Sequence, residues 1–121
     1  MKAVFDTNIL IDYLNGIESA AQELALYDTR IISAITLIEV LVGVRSMQEE
    51  KAVRGFLATF TVRDVSATIA EIAVRLRRDH RLKVPDAIVY ATARAEECLL
   101  VSRNTKDFDP AWPDVRAPYR V

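Results

Sequence analysis

Cysteine and histidine each occur once in this 121-residue chain. Cys98 has no partner for an internal disulfide, and neither Cys98 nor His80 has a second Cys or His at metal-ligand spacing, which rules against a disulfide scaffold and a zinc site. A reduced, partly buried thiol is the expectation for Cys98. His80 stands among Arg77, Arg78, Asp79 and Arg81, the setting of a solvated helix end, so a histidine-based catalytic triad is hard to build. No apolar run approaches the roughly 18 residues of a spanning helix, and the start lacks the basic-then-apolar pattern of a secretory signal. The expectation is a cytoplasmic protein without a membrane role. Charge of either sign is also scarce in excess: sixteen basic against seventeen acidic residues leave a net charge of −1. Without a global field, any contact with a polyanion must be local.

What is present suits one compact domain over residues 1–121, because 51% of the residues are hydrophobic. Ala3 to Phe5 reads as a short buried strand, after which Ile9, Leu10, Tyr13 and Leu14 recur at helical spacing. A second helix is expected over Glu18 to Tyr27 and a second strand over Arg30 to Ser33. The run Ile35 to Val44 is apolar on nearly every side except Glu39, which predicts a helix buried on most faces. Met47 to Phe60 has the pattern of a charged surface helix, and Thr61 to Val65 alternates like a strand. Ser66 is placed to cap a helix from Ala67 to Asp79 with Ile69, Ile72, Ala73 and Leu76 inward. Pro85 marks the first turn of the next helix, and Leu99 to Val101 is a short strand leading into a polar loop. A last extended piece is expected from Val115 to Tyr119. The alternation of strands and helices predicts an α/β fold with a mostly parallel sheet covered by helices.

Four acidic or amide positions border these elements. Asp6-Thr7-Asn8 falls on the first strand-to-helix turn, where it is either a helix cap or part of a site. Glu39 is either the third helical position of a capping box begun by Thr36 or a carboxylate that needs a cation among apolar neighbours. Asp86 sits in the first turn of its helix, and Asn104 and Asp107 occupy the loop after the strand at residues 99–101. In a doubly covered parallel sheet such positions converge on one edge. Carboxylates meeting there repel by a few kcal/mol per close pair at an effective dielectric near 20, so protons or a divalent metal must be held. Oxygen-only ligands favour Mg²⁺ or Mn²⁺, and the matching chemistry is phosphoryl transfer to metal-activated water.

Phe5-Asp6-Thr7-Asn8, Ser33 to Glu39, Pro85 to Ala93 and Leu100 to Phe108 together resemble the PIN domain, and within it the VapC-type toxin ribonucleases of toxin–antitoxin pairs. The resemblance spans nearly the whole chain. It implies a three-layer α/β/α fold, Mg²⁺- or Mn²⁺-dependent endoribonuclease activity and a homodimer. It also implies an antitoxin that lies across the active site and contacts operator DNA on behalf of the pair. By position, Asp6, Glu39 and Asp86 correspond to the acidic metal-site residues, with Thr7, Asn8 and Ser102 as polar neighbours. At a fourth position, often Asp in the family, this chain has Asn104, which coordinates only through its carbonyl and adds no charge. Whether Asp107 compensates or simply shapes the turn stays open. Arg103 and Lys106 flank the same loop, either as solvated charges or as contacts for phosphates or for a partner's carboxylates.

Two other readings share these residues. One is a weakly active or inactive PIN module whose output is antitoxin binding and operon regulation, because of Asn104. The other is phosphoacceptor chemistry at Asp6, which fares worse because the acid expected two residues later is Asn8.

Overall fold

The computed structural model describes residues 1–121. Its elements run β1 (Lys2–Phe5), α1 (Thr7–Leu14), α2 (Glu18–Ala25), β2 (Thr29–Ser33), α3 (Ala34–Val42), α4 (Met47–Leu57), β3 (Thr61–Arg63), α5 (Ala67–His80), α6 (Val84–Ala95), β4 (Leu99–Val101) and β5 (Val115–Arg116). All five strands are parallel, in the order β3-β2-β1-β4-β5. Six helices flank them, giving the helix-covered parallel sheet expected from the alternating pattern and the three-layer α/β/α architecture that the resemblance implies.

The sheet divides the core by the two-residue period of its strands. Val4, Ile31, Leu100 and Val115 point to the α5–α6 side, where they meet Ile69, Leu76, Val89 and Tyr90. Ala3, Phe5, Ile32 and Val101 point the other way, against Ile9, Leu10, Leu24, Val40 and Leu57. Phe5 is fully buried and makes edge contacts with Tyr27 and Phe60, with centroids 5.2 and 6.1 Å apart. Such pairs add about 1 kcal/mol each beyond area burial. Because β1 is central and covered on both faces, its apolar run has no polar alternation.

Ser66 caps α5 as its position predicts, its hydroxyl accepting from the Ile69 amide at 3.2 Å. Ser66→Ala should destabilise the domain by about 1 kcal/mol. Equilibrium denaturation should record a lower midpoint with an unchanged slope, and an unaltered midpoint would show that water replaces the cap.

Several expectations require correction. The helix over Ile35 to Val44 is not buried on most faces: α3 ends at Val42, and only Thr36 and Val40 are buried while Ile38 and Val42 are 56% and 78% exposed. A helix at the rim of the sheet packs one stripe inward, and hydrophobicity alone does not reveal that nothing covers the other. Its cap is Ser33, whose hydroxyl accepts from the Ile35 amide, so Glu39 lies beyond the capping position and the capping-box reading falls. The last extended piece pairs only over Val115–Arg116, since Pro118 has no amide to continue a ladder. His80 is half-buried rather than solvated, with its ring 4.3 Å from that of Trp112. Cys98, by contrast, is free and half-buried as expected, and burial pushes its thiol pKa up.

Candidate active site

The strand order reverses at β1: the chain builds outward through β2 and β3, then returns to the other side with β4 and β5. Crevices outside strand carboxyl ends at such a switch are where open α/β sheets bind ligands. Asp6 follows the last residue of β1 and Ser102 the last residue of β4, and the Asp6 amide donates to the Val101 carbonyl at 3.0 Å. The two loops are thereby held side by side.

Asp6 is both a cap and a pocket residue. Its Oδ1 accepts from the Thr7 amide at 2.8 Å, and its Oδ2 accepts from the Ser102 hydroxyl at 2.7 Å and the Asn8 amide group at 3.2 Å. The carboxylate is buried, and desolvation raises its pKa. Hydrogen bonds from Ser102, Thr7 and Asn8 oppose that shift, and the nearby Glu39 charge adds to it. Ser102 in turn accepts from the Asn104 amide at 3.0 Å, and Asn8 Oδ1 accepts from the Arg103 amide at 3.1 Å.

Glu39 reaches the pocket from α3. Its carboxylate is exposed and accepts from the Thr7 hydroxyl at 2.5 Å, which orients Oε1. Asp86 arrives in the first turn of α6, behind Pro85, half-buried and without a hydrogen-bond partner. Desolvation first, then repulsion from Asp6, Asp107 and Glu39, pushes its pKa from 3.8 to about 6. Asp6, Thr7, Asn8, Glu39, Asp86 and Asn104 thus line one pocket of about 410 Å³, together with Ile11 and Arg103.

Asp107 stands outside that lining. Its carboxylate accepts from the Asn104 side-chain amide at 3.0 Å, and its backbone amide donates to Asn104 Oδ1 at 3.2 Å. The Asn104 amide nitrogen is therefore engaged away from the pocket, and its carbonyl keeps one lone-pair direction free. Ser102 is buried beneath the acids rather than among the lining residues.

Two buried acids escape a reading of the sequence. Asp12, on α1, is 5% exposed and pairs with Arg103 through two bonds, Nε to Oδ2 at 2.7 Å and Nη2 to Oδ1 at 2.9 Å, with the Tyr119 hydroxyl donating to Oδ2 at 2.9 Å. Glu23, on α2, is likewise 5% exposed and bound by Arg116 and Tyr27. A signal existed for Asp12, which follows buried Ile9 by three residues on the inward stripe of its helix.

The donor set fits a hard divalent cation. Three carboxylates face the pocket, two with raised pKa values from desolvation and mutual repulsion, and its one guanidinium is already committed to Asp12. No three acids are drawn to metal-ligand spacing in advance.

A family model described as the PIN domain matches residues 3–111. A toxin–antitoxin complex from Klebsiella pneumoniae contains a chain 44% identical, with a TM-score of 0.93 over 99% of this chain and 100% of that one. VapBC2 from Rickettsia felis, bound to a DNA fragment from its promoter, gives 25% identity and a TM-score of 0.79, covering 95% and 96% of the two chains. FitAcB from Neisseria gonorrhoeae shares the fold at 20% identity, with a TM-score of 0.82 over 98% and 99%. A search of curated proteins finds no match.

Proposed function

Because the chain belongs to the PIN domain family, we propose that it is the toxin nuclease of a toxin–antitoxin pair and that its substrate is RNA. The observation that carries the reading is the convergence of Asp6, Glu39 and Asp86 on one pocket whose only lining cation, Arg103, is paired with Asp12.

In this reading Asp6, Glu39 and Asp86 would hold Mg²⁺ or Mn²⁺, with the carbonyl of Asn104 as a further oxygen donor. A bound divalent cation supplies activation of the attacking water and charge neutralisation at the phosphate. Ser102 and Asn8 fix the Asp6 carboxylate by hydrogen bonds, and Thr7 fixes Glu39, so two acids are aimed before any ligand arrives. Asp86 makes no such bond and is free to adjust. No side chain of the pocket is needed as a nucleophile. Asp107 acts on Asn104 rather than on the cation.

The Klebsiella likeness supports a protein antitoxin as partner, and the Rickettsia complex supports contact with promoter DNA through that partner. The exposed Ile38 and Val42 supply apolar surface for a homodimer. No helix is long and apolar enough to cross a membrane, and the cytoplasm is the compartment where RNA and antitoxin meet.

The test is cleavage of a mixed RNA pool by the antitoxin-free chain in Mg²⁺, in Mn²⁺ and in chelator. Cleavage that requires the divalent ion is the expected result. An inert chain that still binds an antitoxin would replace the nuclease with the regulatory module, with Asn104 as the reason.

A further inference from the structure

We infer that the cleft beside the acidic pocket is the track for a single-stranded RNA, with Arg103 and Arg120 as its phosphate contacts; this rests on the nuclease reading. The cleft has a volume of about 650 Å³ and is lined by seven residues, Arg103, Tyr119 and Arg120 among them, with Val121 beside Arg120. Arg103 also lines the acidic pocket, so the two spaces adjoin at one residue. No acidic side chain lines the cleft, and Asp12 lies behind it, bound to Arg103 and Tyr119. The side chains of the cleft thus supply one uncompensated positive charge, Arg120, beside an arginine already paired with Asp12, and the cleft adjoins the acidic pocket at Arg103.

The two arginines differ in what they offer. Arg103 is immobilised: Nε and Nη2 are both spent on buried Asp12, which Tyr119 also binds, and its backbone amide is held by Asn8. Nη1 is left over. A fork fixed in this way donates to a phosphate with little further loss of freedom, but its charge is balanced by Asp12, so it contributes geometry more than field. Arg120 has no ion pair or hydrogen bond and is exposed, so it contributes field. Tyr119 adds a half-buried ring to the wall, and aromatic rings are the usual platform for unpaired bases. A duplex presents no splayed base to such a wall, which selects the single strand.

The assignment separates binding from cleavage and is tested that way. In the Asp86→Asn background, a fluorescent 12-nucleotide RNA of mixed sequence is titrated by anisotropy in Mg²⁺ at several salt concentrations. Adding Arg120→Gln should weaken affinity about fivefold and lower the salt slope by roughly 0.7, the increment of one phosphate contact on a single strand. Adding Arg103→Lys, which keeps the charge and loses the fork, should weaken affinity with the slope unchanged. Arg75→Gln on α5, outside the cleft, should change neither. Unaltered affinity and slope in Arg120→Gln would overturn the track even if the wild type cuts RNA. The converse pattern, weakened binding by a chain whose wild type never cuts, would keep the track and overturn the nuclease.

Discussion

Asp86→Asn is expected to lose cleavage and at the same time to raise the melting temperature of the metal-free domain. The activity loss follows from removing the one pocket carboxylate that has no other duty, and should be roughly 100-fold or more. The stability gain follows from the same fact. Asp86 makes no hydrogen bond, so the amide forfeits none, while desolvation and repulsion from Asp6, Asp107 and Glu39 act only on the charge. Its folded-state pKa is raised from 3.8 to about 6, so the folded chain binds a proton more tightly than the unfolded one. The ionised side chain therefore destabilises the fold above about pH 6, and the destabilisation fades as pH falls towards 3.8. Discounted for the half-exposed setting, the gain at pH 7 is about 1 kcal/mol, or about 4 °C for a domain of this size. The difference between variant and wild type should shrink between pH 7 and pH 5. Adding Mg²⁺ should reverse the order, because the ion stabilises only the chain that binds it well. A variant that melts at or below the wild type in chelator, at pH 7, would remove the argument. Asp6→Asn is a poorer probe, since its amide would face the Ser102 and Asn8 donors that the carboxylate now accepts.

The second large effect lies away from the pocket. Arg116→Met should lower the melting temperature by about 8 °C, equivalent to about 2 kcal/mol. Glu23 is 5% exposed and accepts from Arg116 Nε at 2.6 Å and Nη2 at 2.9 Å, and from the Tyr27 hydroxyl at 2.9 Å. Desolvation works to raise the Glu23 pKa, but the bonds from Arg116 and Tyr27 overcome it and leave it lowered from 4.5. A lowered carboxylate stabilises the fold above its unfolded pKa and loses that contribution as pH falls through the folded value. The variant should thus differ most from wild type near neutrality and least below about pH 4. Arg116 is itself 43% exposed, which is why the estimate stays under the 3–5 kcal/mol of a fully buried pair. Replacing both partners, as Glu23→Leu with Arg116→Met, should recover most of the loss, because no buried charge is then left alone. Failure of the double variant to recover would mean that the pair holds β5 by direction rather than by charge.

The parts of this molecule legible from residues alone are those encoded locally. Ser66 announces α5, Pro85 announces α6, and the apolar run before Asp6 announces the central strand, because each signal and its consequence lie within a few residues. The convergence of Asp6, Asp86 and Asn104 was also legible, since strand ends and helix starts of a parallel sheet share one side, whereas Glu39 reaches the same pocket from the second turn of α3. Asp12 and Glu23 were not. Each lies in a helix, where charge normally means solvent, and their partners Arg103 and Arg116 stand 91 and 93 residues away. The outer stripe of α3 failed for a related reason: Ile38 and Val42 are as apolar as a core residue, and only the finished packing tells that nothing lies over them.

The bond from Ser102 to Asp6 spans 96 residues, and β1 pairs with β4 across nearly the same interval. Ribosomal synthesis therefore delivers the acids long before it delivers the strand and serine that set them. A nascent or prematurely stopped chain lacking Leu99 onward carries Asp6, Glu39 and Asp86 with no half of the sheet to bring the first into line. On the nuclease reading, danger to the producing cell begins only once the segment from Leu99 onward has been made, and a partner has until then to appear.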